Sequence, residues 1–354
     1  MLAVCPNSNE VHIFRVPPGS VSGSELERIH VLKNHDQLVS GIDWAPSSNC
    51  IVTCSHDRNA YVWNFDGKEW QPVLVILRLQ RAATSVKWSS KENKFAVGSG
   101  AKSVCVCYYE QENNWWVSKL IRKKHSSTVQ SVAWHPNNAL LATASTDFKC
   151  RIFNAFVKGV DAKTDAVGDT KFGDVLMQID SASGWVHDVD WSPSGEKLAF
   201  TAHDSSLHVI DIGAGTPVQT VSMKELPLRA VLFLSETRLV AAGYDNVPFL
   251  FGLNDSGSWC LLKNLDEPKA SSAEKSGSTF SSAFEKFKGQ GAPTDSLEPL
   301  KPPATIHENC ITTLQALGPA GYSSTTRFSS SGLDGKVVTW ELKGVLEGVS
   351  GLKL

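Results

Sequence analysis

The chain has 354 residues, 42% apolar and 20% charged, with a formal net charge of −2, which is the composition of a folded globular protein. A charge so near zero excludes a global field that would draw it to nucleic acid or an anionic membrane, so any electrostatic partner must be met by a local patch. Residues 1–20 lack the pattern of a signal peptide, and the longest apolar run, Val73 to Leu77, falls far below the roughly 20 residues needed to span a bilayer.

Taken in chain order, Leu2 to Cys5 and Glu10 to Val16 read as the first two strands, Leu2 to Cys5 as an inner one. The second opens a nine-residue window that recurs along the chain. It reads NSNEVHIFR at 7–15, HDRNAYVWN at 56–64, GAKSVCVCY at 100–108 and TDFKCRIFN at 146–154, then HDSSLHVID at 203–211, YDNVPFLFG at 244–252 and LDGKVVTWE at 333–341. Five copies carry aspartate second (Asp57, Asp147, Asp204, Asp245 and Asp334), with a large apolar residue six positions later. An aspartate turn followed by alternating apolar residues predicts a tight hairpin leading into a strand. Trp44, Trp88, Trp134 and Trp191 each lie 13 residues before the second position of a window, and three are followed by Pro46, Pro136 and Pro193. Each unit therefore reads as strand, turn, strand, aspartate turn, strand, with a fourth outer strand between units, such as Val73 to Leu77. Successive windows from Asp57 to Asp245 are 44, 46, 57 and 41 residues apart, three of them close to the period of about 40–45 residues of WD-type blades. The sequence predicts an all-β, seven-bladed WD-repeat β-propeller over residues 1–342, with its first blade incomplete at the N-terminus and residues 343–354 as a tail.

Resemblance to the WD-repeat family rests on particular residues. His35 precedes Trp44 by nine positions, as His125 precedes Trp134, and His307 lies seven before Leu314, as His35 lies seven before Ile42. Trp63-Asn64 and Trp340-Glu341 stand where that family ends its repeat in tryptophan–aspartate. The resemblance implies that His35, Asp57, Trp63, His125, Asp147, Asp204, Asp245, His307, Asp334 and Trp340 staple blades, since a buried histidine and aspartate must pair. His35, Ser55 and Asp57 also match the types of a Ser-His-Asp triad, but the set recurs as His125, Ser145 and Asp147. A nucleophile is unique in an enzyme, whereas a staple repeats. With no phosphate loop or metal motif, the expectation is a protein without catalytic residues or cofactors. The eight cysteines follow neither a disulfide nor a zinc spacing and read as buried thiols in a reduced, cytoplasmic setting.

Two segments read as partner surfaces. The basic loop Arg122, Lys123, Lys124 follows the pair Trp115–Trp116, of which one faces the core and one solvent. Trp116 with this loop has the composition of a contact hot spot. The step from Asp245 to Asp334 is 89 residues. Its excess lies in an insertion at 264–303, rich in Ser, Lys, Gly and Pro. Within it Phe280, Ala283, Phe284 and Phe287 fall on one stripe of a short amphipathic helix at about 278–288, which suits a partner groove or a fold-back onto the propeller.

Beyond the fold, the chain closely resembles the WD-repeat subunit (subunit 1) family of the actin-related protein 2/3 complex from residue 1 to about 342. The most specific stretches are GIDWAP at 41–46, DRNAYVW at 57–63, LVILRLQRAAT at 74–84, KENKFAVGSGA at 91–101, NNWWVSK at 113–119 and WHPNN at 134–138. The resemblance implies a scaffold subunit of an assembly that nucleates branched actin filaments, with other subunits, the actin-related proteins and the actin filament as partners. It also implies that the insertion helix contacts actin. Arg122, Lys123 and Lys124 are then candidates for neighbouring subunits or acidic tails of nucleation-promoting factors. Family members carry further residues ahead of this start, so the chain is read as an incomplete start lacking the strand that closes the ring. The rival expectation is a WD-repeat adaptor in a ubiquitin ligase or chromatin assembly.

Overall fold

The computed structural model describes residues 1–16, 26–162, 164–266, 305–318 and 323–342. Seven antiparallel sheets follow one another around a ring. Blade one is β1 (Leu2–Val4), β2 (Glu10–Arg15) and β3 (Glu27–Lys33). Blade two is β4 (Val39–Ala45), β5 (Cys50–Ser55), β6 (Ala60–Phe65) and β7 (Trp70–Val75); blade three is β8 (Ala83–Trp88), β9 (Lys94–Ser99), β10 (Val104–Glu110) and β11 (Trp115–Ile121). Blade four holds β12 (Val129–Trp134), β13 (Leu140–Ser145), β14 (Cys150–Asn154) and β15 (Val175–Ile179). Blade five holds β16 (Val186–Trp191), β17 (Lys197–Ala202), β18 (Ser206–Asp211) and β19 (Gln219–Ser222). Blade six is β20 (Leu228–Ser235), β21 (Arg238–Gly243), β22 (Pro248–Leu253) and β23 (Trp259–Asn264), and blade seven β24 (Ile311–Ala316), β25 (Arg327–Gly332) and β26 (Val337–Glu341).

Every window placed from sequence supplies the third strand of a blade, and every marker tryptophan lies at or next to the end of an inner strand. By the register of the windows, blade one holds a second, third and outer strand, so Leu2–Val4 pairs β2 as a second strand, not as the inner strand its position suggested. Blade seven holds inner, second and third strands. The predicted outer strand Val73 to Leu77 begins earlier, at Trp70, because Trp70 pairs with Phe65 across a short turn.

Each inner strand of blades two to seven shifts register at its second residue, between Val39 and Gly41 and at the equivalent points up to Ile311 and Thr313. A bulge re-aims the side chain at the shift. Ser40 and Thr84 there donate to the carbonyls of Ala83 (2.7 Å) and Val129 (2.6 Å) of the next blade. Six apolar clusters fill the gaps between successive blades from one–two to six–seven. The marker tryptophans join these cores and add polar bridges. Trp134 donates to Lys87 O (3.0 Å) and Trp191 to Ala133 O (3.2 Å), each one blade back. At the opposite end from the aspartate turns, Glu92 accepts the Ser47 and Ser48 amides (2.9 and 2.7 Å) and Glu236 accepts the Ser194 amide (2.7 Å).

Candidate functional site

The recurrent polar residues meet inside the blades. In blade two, His35 Nδ1 lies 2.7 Å from Asp57 and its Nε2 lies 2.8 Å from Thr53 Oγ1, while Trp63 Nε1 donates to the same hydroxyl at 3.0 Å. Blade seven repeats the chain of contacts: His307 Nδ1 is 3.0 Å from Asp334, its Nε2 is 2.8 Å from Ser330 Oγ, and Trp340 Nε1 donates to that hydroxyl at 2.8 Å. Each histidine side chain is almost wholly buried. The aspartates also accept backbone amides, Asp57 from Asp36 and Asn59, and Asp334 from Glu308 and Lys336. One carboxylate thus ties the loop entering the blade to the turn between its second and third strands.

Blade four carries a variant. His125 touches Thr143 (3.0 Å), Arg151 donates to Asp147 (2.8 Å), and Phe153 stands where a tryptophan would be. Burial opposes ionisation of Asp147, yet His125, the Ser126 amide and Arg151 hold its carboxyl well below the usual range. Burial pushes His35 and His125 down despite their aspartates. In blades five and six, Asp204 and Asp245 accept the Ser183 and Leu226 amides (both 2.7 Å) with no histidine in the entering loop. His208 instead sits beside Ser206 and Thr220, and burial pushes it down to about 4.

These groups face one another. Ser55 is buried and its hydroxyl donates to Gln37 O (2.9 Å), away from His35. The triad-like composition is a folding device. All eight cysteines are free, and burial pushes Cys54 up to about 12.

Arg122, Lys123 and Lys124 are exposed and lead directly into buried His125. They lie at the end of blade three opposite Trp115. Of the tryptophan pair it is Trp115 that is exposed, at 55%. Trp116 packs against Phe95 and Trp88 between blades two and three. The predicted hot spot therefore divides: Trp116 belongs to a core, and the basic loop stands apart from it. Phe280, Ala283, Phe284 and Phe287 lie outside the described residues, as do the helix at 278–288 and the tail at 343–354. The root of the insertion is described. Asp266 accepts the Ile306 amide at 2.6 Å, so the chain leaves blade six and enters blade seven at one point.

Three groups of residues were not singled out from sequence. Thr53 and Ser330 complete the staples, and their signal is a hydroxyl residue four positions before the turn aspartate. In the inner strands, Asp43, Asp188 and Asp190 surround Lys87, whose charge is favoured chiefly by Asp43 against the cost of burial. Asp43 accepts the Trp88 amide (2.7 Å) and Asp190 the Phe233 amide (2.8 Å), equivalent contacts to the next blade. Their signal was the charged residue immediately before Trp44, Trp88 and Trp191. The third group is the row of turn tips after each aspartate position, Arg58, Lys102, Phe148, Ser205, Asn246 and Gly335, all at positive φ between 58° and 76°.

The WD domain, G-beta repeat family model matches residues 26–64, 117–154 and 173–211, which fall on blades one to two, three to four, and four to five. Over nearly its whole length the chain is similar to curated proteins of one kind. It is 53% identical to actin-related protein 2/3 complex subunit 1A of Arabidopsis thaliana over 98% of this chain and 92% of that protein. Identity is 42% to subunit 1A-B of the same complex from Xenopus laevis, over 100% and 94% of the two chains. It is 41% to subunit 1 of Schizosaccharomyces pombe, over 95% and 92%.

Proposed function

The chain belongs to the family of actin-related protein 2/3 complex subunit 1, and from that membership we propose that it is a non-enzymatic scaffold supporting nucleation of branched actin filaments at the cytoplasmic actin cytoskeleton. The observation that carries the non-enzymatic part is the fate of the polar residues. The histidines, hydroxyls and aspartates of blades two, four and seven are turned inward onto one another, leaving the triad-like set without an exposed nucleophile. A rigid ring of this kind offers large faces to neighbouring subunits.

Within this reading the insertion contacts actin, with Phe280, Ala283, Phe284 and Phe287 as its apolar anchors. The closed root at Asp266 and Ile306 supports it, because the insertion leaves and rejoins the ring at one place, which keeps any anchor it carries within reach of a partner held there. Affinity purification of the tagged chain from extract tests the assignment. Recovery of both actin-related proteins with the small subunits is expected. Recovery of a ubiquitin ligase or histone set in their place would overturn it in favour of a different propeller adaptor.

A further inference from the structure

The end of the ring that carries the aspartate turns divides by chemistry. On blades two to four it presents Arg58, Arg81, Lys102, Arg122, Lys123 and Lys124, all exposed. None of the six forms an ion pair among the described residues; of the exposed acids at this end, Asp36 stands beside them and Asp180 of blade four is held by Lys149 at 3.1 Å. In a protein of net charge −2 this is a concentrated positive patch, unneutralised from within.

The backbone gives an independent reason to read the patch as functional. Equivalent turn tips in blades five to seven hold Ser205, Asn246 and Gly335, with φ of 59°, 66° and 76°. Asparagine and glycine are residues that tolerate the left-handed region. Blades two to four place Arg58, Lys102 and Phe148 there, at 73°, 58° and 69°. Long or bulky side chains in that region cost free energy, and they persist where the side chain has a use outside the fold. None of the three has a use inside it: Arg58 and Lys102 are exposed and Phe148 is 44% exposed.

We propose that this face is a peripheral docking surface for an anionic phospholipid membrane, with the six cations meeting headgroups and Phe148 entering the interface. Turn tips in equivalent positions of a ring end at a common level, so a planar partner engages three blades together, whereas an extended peptide tracks a single row. The rest of the same end adds large apolar side chains, Trp185 at 50%, Leu226 at 53% and Leu333 at 60% exposure, a pairing of basic and apolar residues suited to a membrane surface. No helix among the described residues is long and apolar enough to cross a membrane, and surface docking requires none.

The test is co-flotation of the reconstituted complex with vesicles of phosphatidylcholine plus phosphatidylserine, against phosphatidylcholine alone. Binding is expected on the mixed vesicles only, weakening as salt is raised. Arg58→Asn with Lys102→Asn, which keeps a turn residue already used at Asn246, should lower retention about tenfold while leaving the melting temperature equal or higher. Phe148→Asn should weaken binding without changing its salt dependence. Equal retention on both vesicle types, or retention unmoved by the Asn pair, overturns the proposal. So does an acidic peptide that binds this face with the same sensitivity to the Asn pair while the mixed vesicles retain nothing, which would assign the face to a protein partner.

Discussion

At the scale of single residues, the carboxylate of Asp57 serves both His35 and two backbone amides, so its removal strands buried donors. Asp57→Ala should destabilise the fold by roughly 1–3 kcal/mol. Asp245→Ala should cost less, because Asp245 has the Leu226 amide and no histidine; paired melting curves in which the two coincide would refute this ranking. Asp190 tests the inner ring in another way. Burial, reinforced by the charge of Asp188, pushes it up to about 7, against the pull of the Phe233 amide and Lys87. Its ordinary value is 3.8, so the folded state holds a proton that the unfolded chain has released between those values. Its contribution is complete below the lower value, declines as pH rises and is lost above the upper one. The melting temperature of wild type relative to Asp190→Asn should therefore fall across that window, and a difference constant with pH would show the carboxylate ionised throughout. The staple pairs His35–Asp57 and His307–Asp334 were legible in the sequence because they recur at fixed spacing. The Asp43–Lys87–Asp190 set was not, because it forms only when the ring brings strands of blades two, three and five to one centre.

At the scale of elements, hairpins were readable wherever an aspartate turn met an alternating strand, and outer strands were readable only by position. The β14–β15 connection shows what local pattern omits. Lys94, fully buried in β9, donates to Ala155 O (3.0 Å) and pairs with Asp161 in that connection, one blade away. A lysine in a strand reads as solvent-facing, and nothing near it in sequence announces a partner 67 positions on. Lys94→Met should cost about 3–5 kcal/mol by leaving the Asp161 carboxylate buried without its cation, read by urea unfolding, with faster proteolysis in 155–174. Unchanged stability would mean that Asp161 finds enough from Asn138 and the Val157 amide. The insertion is tested by Phe284→Asp. Folding and assembly should survive while branch density in a purified assay drops several-fold; wild-type branching by this variant would remove the anchor role.

At the scale of the molecule, periodicity carried most of the information. Seven windows gave seven blades, and the tryptophan register gave inner strands, because each repeat buries its faces only against its neighbours. Which faces meet other molecules was less legible. The basic loop at Arg122–Lys124 was visible as a charge run, but its continuation through Arg81, Lys102 and Arg58 exists only once three blades stand side by side. Trp116 looked like a surface residue, yet it is half-buried against the core between blades two and three. A ring whose polar repeats are turned inward is suited to holding partners on its faces, and its central role is tested by reconstitution. The complex prepared without this chain should branch actin at background density and recover when the chain is added back. Branching at full density in its absence would contradict the account.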